Sequence, residues 1–267
     1  MENSNFNEET RAARLRRWLG TDETLETPTC TVHSSSQILD DIHSPQNISM
    51  YGFFLGCWFT IGLGILCFTS FWHLGGYILC LSVFHHLEYL LTALYKPENL
   101  QLDSYLLSHS TAYMAAIFSG IFEYLIEKIL FPAFKGSALV CTTGVLLIVV
   151  GQVIRTLAMH TAKSNFNHQI VDHKSREHTL VTWGIYRFLR HPSYFGFYVW
   201  AVGMQLLLSN PISLGLYLYA LNRFFAGRIV YEERTLNRFF GQRYKVYCEN
   251  TWTWLPLIYP SSSQSTE

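Results

Sequence analysis

Apolar and polar residues fall in long blocks along this chain rather than in short alternation. Residues 1–45 are rich in Ser, Thr, Asn, Asp and Glu, a composition that predicts a mostly disordered tail, with a short helix near Arg11–Leu19 lying on a membrane surface. Six apolar runs follow: Tyr51–Ser70, Phe71–Tyr95 with Glu88 inside it, Tyr105–Ile126 with Glu123 near its end, Gly136–Met159 with Arg155, Ser193–Leu208 and Ile212–Ala226. The first four have the length of about 20 residues that a helix needs to cross a bilayer. The last two are parted only by the turn signal Ser209-Asn210-Pro211. A polar stretch from His160 to His191 separates the fourth run from the fifth, and a second polar tail closes the sequence. The pattern predicts an all-α, polytopic integral membrane protein of about six transmembrane helices ending in a helical hairpin. Its regions are a disordered tail (1–45), helices one to four (46–160), a loop with helical hairpin and C-terminal segment (161–258) and a polar tail (259–267).

Composition sharpens this. Only 14% of the 267 residues are charged, against about a quarter in soluble domains, too few to coat a water-facing surface of this size. Lys plus Arg and Asp plus Glu balance at 19 each, so no global field points to nucleic acid. The six cysteines show no CxxC spacing and read as reduced packing residues. The basic patch Arg11, Arg14, Arg16, Arg17 precedes no apolar segment of a secretory signal, and the C-terminus carries no CaaX box. With the N-terminus in the cytosol, 16 of the 19 Lys and Arg lie in cytosolic segments, Lys128 and Lys135 lie outside, and Arg155 is intramembrane. That asymmetry orients both termini and the 160–191 loop toward the cytosol. The sequon at Asn47-Ile48-Ser49 is then out of reach of glycosylation.

The unusual polar residues gather in the C-terminal half: Ser164–His168, His178-Thr179-Leu180-Val181, Gly184-Ile185-Tyr186, and Arg190-His191-Pro192-Ser193-Tyr194-Phe195-Gly196. One helix up and one helix down, Arg228 and Glu232-Glu233 return to the same membrane face, the convergence that a binding site needs. Arg190-His191-Pro192-x-Tyr194-x-Gly196 followed by Glu232-Glu233 resembles the signature of integral-membrane methyltransferases. Ser164–His168, His178–Thr182, Arg223–Phe225, Phe84-His85 with Glu88-Tyr89-Leu90, and Leu102-Asp103-Ser104 resemble the eukaryotic isoprenylcysteine carboxyl methyltransferases in particular. The resemblance covers roughly residues 50–258; some animal relatives carry an extra N-terminal helix pair where this chain has its polar tail.

The resemblance implies S-adenosylmethionine as cofactor, contacted by His178, Thr179, Leu180, Val181, Tyr186, His191, Pro192, Ser193, Tyr194 and Glu232. It also implies a site at the endoplasmic reticulum membrane facing the cytosol, and prenylated, CaaX-processed proteins of the small GTPase type as substrates, with Arg228 on the substrate carboxylate. No metal or nucleic acid is implied. Residue chemistry agrees independently. A terminal carboxylate is already ionised at neutral pH, so methyl transfer to it needs desolvation and alignment rather than a general base. Arg228 suits a permanently charged two-pronged clamp, Glu232 suits an amino group or ribose hydroxyls, and His191 with Tyr194 offers an aromatic wall. Phospholipid N-methylation and sterol reduction, which shares part of the signature, remain alternatives.

Bland readings stand beside these. Arg228 and Glu232 are spaced as a helix-surface ion pair. Pro192 also suits a first helical turn. His168, His173 and His178 step by five residues, which fans them about 140° apart on a helix and disfavours a metal site. Arg155 either snorkels to the interface or closes the floor of the site. Glu88 and Glu123 each demand a partner, and Gly52/Gly56 is a small-residue pair of the kind that packs membrane helices.

Overall fold

Three of the long helices begin on a proline, where the missing N–H costs nothing and the fixed φ is already helical. The computed structural model describes residues 42–107, 110–174 and 178–256. It forms α1 (Pro45–Phe68), α2 (Trp72–Tyr95), α3 (Thr111–Leu130), α4 (Ala138–Ala162), α5 (Pro192–Leu207), α6 (Pro211–Phe240) and α7 (Gln242–Glu249). Ser44 caps α1 by accepting the Asn47 N–H at 3.2 Å, and Ser110 caps α3 in the same way. Asn210 ends the predicted turn, and Pro211 opens α6. Among the described residues the only β-type pairing is a parallel bridge of Leu189 with Trp252. The expected tails 1–45 and 259–267 lie outside the described residues, except for the few positions that lead into α1.

Among the described residues, three helices are long and apolar enough to cross a membrane: α1, α2 and α4 with the turn that follows it. Aliphatic and aromatic side chains such as Phe53, Phe68, Leu139 and Leu146 stand exposed on them, an arrangement that suits a hydrocarbon solvent. α5, with 16 residues, rises only about 24 Å, short of the ~30 Å hydrocarbon thickness. The expected runs correct in three places. The third helix starts at Thr111 rather than Tyr105, because Leu102–Tyr105 form a 3-10 turn. The first helix starts at Pro45 rather than Tyr51, capped by Ser44. The last helix continues 14 residues beyond Ala226 to Phe240, carrying Arg228 and Glu232 on a rigid element.

The core is built around α5. Tyr77, Leu81 and Phe84 of α2, Tyr124 of α3 and Ile148 of α4 close on Trp200, Ala201, Met204 and Leu207. α4 and α5 touch backbone to backbone at two glycine pairs seven residues apart, Gly144 with Gly203 and Gly151 with Gly196. A Cβ on Gly151 would lie 2.4 Å from the Trp200 nitrogen, and one on Gly144 2.5 Å from that of Leu207. The expected pair Gly52/Gly56 plays no such part: Gly56 has open space around it, and Gly52 meets only the Tyr105 hydroxyl, 3.9 Å away. We therefore expect Gly151→Leu to yield no folded, monodisperse protein in detergent, because two backbones would have to separate. Gly56→Leu should purify normally; equal behaviour of the two variants would refute this packing.

At the end of the bundle holding the α5–α6 turn, the acidic residues find partners. Glu123 accepts the Ile212 and Ser213 N–H groups at 2.7 and 2.6 Å, capping α6. Lys135 is not the open loop cation that the charge pattern suggests. It is closed to solvent, paired with Glu127 and donating to the Leu208 and Ser209 carbonyls and to Asn210 Oδ1. This latch joins the α3–α4 connection to the α5–α6 turn. The five described cysteines are free thiols, as the spacing suggests.

Candidate active site

The ends of α2, α4, α5 and α6 opposite that latch gather most of the residues singled out from the sequence. Pro192 starts α5 and leaves His191 as its N-cap. The His191 and Tyr194 rings stack at 5.5 Å with planes 6° apart, and α6 lies across them. Glu232 Oε2 stands 3.5 Å from His191 Nδ1, and Glu233 Oε1 is 3.3 Å from His191 Nε2. Burial would lower the basicity of this imidazole, but the two carboxylates outweigh it and raise the pKa to about 9. His191 is therefore a cation at neutral pH. Its ionic contribution to the fold is complete below the ordinary imidazole pKa and fades as pH rises through about 9. Against the upward pull of burial, His191, Tyr194 and Arg228 hold Glu232 below the usual carboxylate range.

Glu232 Oε2 is shut off from water and, beside its 3.5 Å ion pair with His191 Nδ1, makes no well-formed hydrogen bond among the described residues. A buried acceptor in that state is ready for a ligand's N–H or O–H. Arg228, one turn earlier, donates from Nε to the Tyr194 hydroxyl at 2.8 Å and from Nη2 to the His168 carbonyl. Its guanidinium lies 5.4 Å from the Tyr194 ring centre and 5.8 Å from that of Phe224. Nε and Nη2 share one edge of the guanidinium. Nη1 on the opposite edge has no hydrogen-bond partner among the described residues. Nor is there an Arg228–Glu232 ion pair among the described contacts, so helical spacing alone does not explain the two residues.

The other candidates frame this centre. Ser193 is buried under it. Tyr186 sits in the 3-10 turn Gly184–Arg187, its carbonyl taking the Tyr247 hydroxyl at 2.7 Å. Burial first, and then the Glu232 charge, push its phenol up. Thr179 is pinned to the turn after α4 by its N–H on Asn165 Oδ1, 2.8 Å away, while Val181 is buried. His178 packs against Phe239 of α6, with ring centres 6.3 Å apart, and burial with Lys96 and Lys174 lowers its pKa. Among the described residues, no hydrogen bond or ion pair links Thr179, Leu180 or Val181 to the His191 cluster. They form a separate wall. Arg190 ties the centre to the C-terminal segment, pairing with Glu233 at 3.2 Å and donating to the Cys248 carbonyl at 2.8 Å.

One cluster was legible only as unsolved demands. Arg155 does not snorkel: at 7% exposure it is buried, paired in two-pronged fashion with the fully enclosed Glu88 and bonded to Ser193 Oγ at 2.9 Å. His168 completes the group, Nε2 on Glu88 Oε2 at 2.8 Å. A carboxylate deep in one apolar run and the lone arginine of another, each odd in its own helix, were the signal that pairs them.

Comparison with known proteins finds relatives over most of this chain. Residues 144–238 match the model of the isoprenylcysteine carboxyl methyltransferase (ICMT) family, a span running from α4 through nearly all of α6. The protein-S-isoprenylcysteine O-methyltransferase of Mus musculus is 43% identical over 212 residues, covering 79% of this chain and 75% of that protein. The Saccharomyces cerevisiae protein of the same name is 40% identical over 219 residues, covering 80% and 92%. A solved structure of a eukaryotic intramembrane Ras methyltransferase, also an isoprenylcysteine carboxyl methyltransferase, superposes with a TM-score of 0.77 at 38% identity. It covers 79% of this chain and 76% of that one.

Proposed function

The chain belongs to the isoprenylcysteine carboxyl methyltransferase family, and from that premise we propose how its residues divide the work of esterifying an isoprenylcysteine carboxylate. The activity itself is methyl esterification of that carboxyl group. Neither phospholipid N-methylation nor sterol reduction is favoured by these relatives. The methyl donor in this reading is S-adenosylmethionine, which supplies a methyl group activated on a sulfonium. The residues fit it: the enclosed Glu232 Oε2, held only at ion-pair distance from His191, would take an amino group or ribose hydroxyl. The stacked His191 and Tyr194 form an aromatic wall, and His178–Val181 with Tyr186 line the far side.

Arg228 is the carboxylate clamp. Tyr194 and the His168 carbonyl hold one edge of its guanidinium, leaving Nη1 and the second Nη2 hydrogen for the acceptor. The free edge of a permanent cation, one helical turn from Glu232, is the observation that carries this reading. A carboxylate held there is stripped of water and kept ionised, so no side chain has to remove a proton. The residues bind, orient and exclude solvent. His191, already charged and shared between two carboxylates, keeps α5 and α6 in register.

The substrates are proteins whose CaaX processing has left a prenylated cysteine at the C-terminus, small GTPases among them; the relative described as a Ras methyltransferase supports that class. The prenyl chain enters from the lipid between apolar helices. The protein spans the endoplasmic reticulum membrane about six times, with the site and the 160–191 loop in the cytosol. Support comes from the charge asymmetry and from the gathering of site residues at one end of the bundle. A membrane-impermeant maleimide should label His173→Cys, in a background without other cysteines, from the cytosolic side of intact microsomes. Protection there until the membrane is opened would reverse the orientation.

The function is tested with purified protein, methyl-labelled S-adenosylmethionine and N-acetyl-S-farnesylcysteine. Label released as methanol by base identifies the ester. Transfer to an amine acceptor instead, or no transfer, would defeat the reading.

A further inference from the structure

The loop carbonyl that steadies Arg228 belongs to a segment with little structure of its own. After the 3-10 turn Lys163–Asn165, the described residues form no regular element until Gly184. His168 is fixed instead by its side chain. Its Nε2 bonds Glu88 Oε2 at 2.8 Å, and its ring meets the Phe166 ring nearly edge-on at 5.2 Å. Glu88, on α2, is fully enclosed. It is gripped by Arg155 from α4, whose guanidinium lies 5.5 Å from the ring centres of both Phe84 and Phe197. Arg155 is anchored in turn to the Ser193 hydroxyl and carbonyl at the start of α5. Arg155 alone would neutralise Glu88. The third bond, out to the loop, adds nothing to that balance.

We propose that Glu88 and His168 are positioning residues for the methyl transfer: the Glu88–His168 bond sets the His168 carbonyl that, with the Tyr194 hydroxyl, occupies one edge of Arg228 and turns the other edge toward the acceptor carboxylate. The proposal rests on Arg228 being the carboxylate clamp. A guanidinium held at one edge by two acceptors, one on α5 and one on a loop pinned to α2, cannot swing without breaking a bond. Its free edge is thereby preorganised. The chain Ser193–Arg155–Glu88–His168–Arg228 links four helices to one charge.

The test compares His168→Ala with His168→Gln in the full-length protein. Gln keeps an amide N–H able to reach Glu88; Ala removes it. His168→Ala is expected to lower kcat/KM for N-acetyl-S-farnesylcysteine by about 10- to 100-fold, the scale of a small misplacement of a catalytic group. Calorimetric affinity for S-adenosylmethionine and the melting temperature in detergent should stay unchanged. His168→Gln should recover most of the loss. In an Arg228→Lys background, His168→Ala should add nothing, since both act through one group. Undiminished kcat/KM in His168→Ala, a loss shared by cofactor affinity and melting temperature, or no recovery with Gln would overturn the positioning role. Arg228→Ala assayed alongside separates the two levels. If it kept its activity, the clamp reading itself would fall. If it lost activity while His168→Ala did not, only the present inference would.

Discussion

Arg228→Ala is expected to abolish turnover while leaving S-adenosylmethionine binding largely intact. The guanidinium binds the Tyr194 hydroxyl and the His168 carbonyl, and its opposite edge has no hydrogen-bond partner among the described residues. Removing it leaves a desolvated carboxylate without its partner, a loss of several kcal/mol for a charge-assisted pair; at 1.4 kcal/mol per tenfold, turnover falls by a factor of about 1,000 or more. Arg228→Lys should rescue poorly, since a compact ammonium cannot reproduce the planar fork that faces Tyr194 and the loop carbonyl on one edge and a carboxylate on the other. Glu232→Ala should behave in the opposite way. It removes the enclosed acceptor beside His191, so calorimetry should show weakened cofactor binding. If the two alanine variants lost cofactor affinity equally, the division of roles would be wrong, and Arg228 and Glu232 would act as one structural unit.

The second large effect is on folding. Glu88→Met should lower stability by about 3–5 kcal/mol, the usual cost of removing one partner from a buried ion pair. It strands the Arg155 guanidinium, 7% exposed, between Phe84 and Phe197, with only Ser193 among the described residues to accept its hydrogens. Arg155→Met should cost a similar amount by stranding Glu88. The double variant should melt above either single one, because a charge-free apolar filling replaces the pair without an orphan. Thermal unfolding in detergent measures all three. A Glu88→Met protein that melts with the wild type would show that the pair contributes nothing.

Much of the site was legible because its residues lie close in sequence or one helix apart. Arg190–Gly196 and Arg228–Glu233 announce themselves by type and spacing, and the structure stacks His191 on Tyr194 and brings Glu232 to His191. The reach of α6 was not legible. Beyond Ala226 its sequence turns polar and resembles a loop entering the cytosol, yet the helix persists because Phe225 and Ile229 pack into a core with Tyr198 and Leu255. Arg155 illustrates a different failure: both snorkelling and burial suit an arginine near a helix end, and only a partner 67 residues away decides between them.

What the sequence determined by itself is therefore what neighbours encode. Apolar blocks mark α1, α2 and α4, prolines mark the starts of α5 and α6, and the signature residues mark the family and a candidate site. What only the tertiary structure decided is which of several equally suitable groups meet. Gly52/Gly56 and Gly144/Gly151 are alike as small-residue pairs, but only the second lies where two backbones approach closely enough to forbid a Cβ. Glu88, Arg155 and His168 each carry an unmet need written in their own helix or loop. The match between them is a property of three-dimensional packing, because a buried charge is satisfied by whatever lies within hydrogen-bond reach, and distance along the chain says nothing about that.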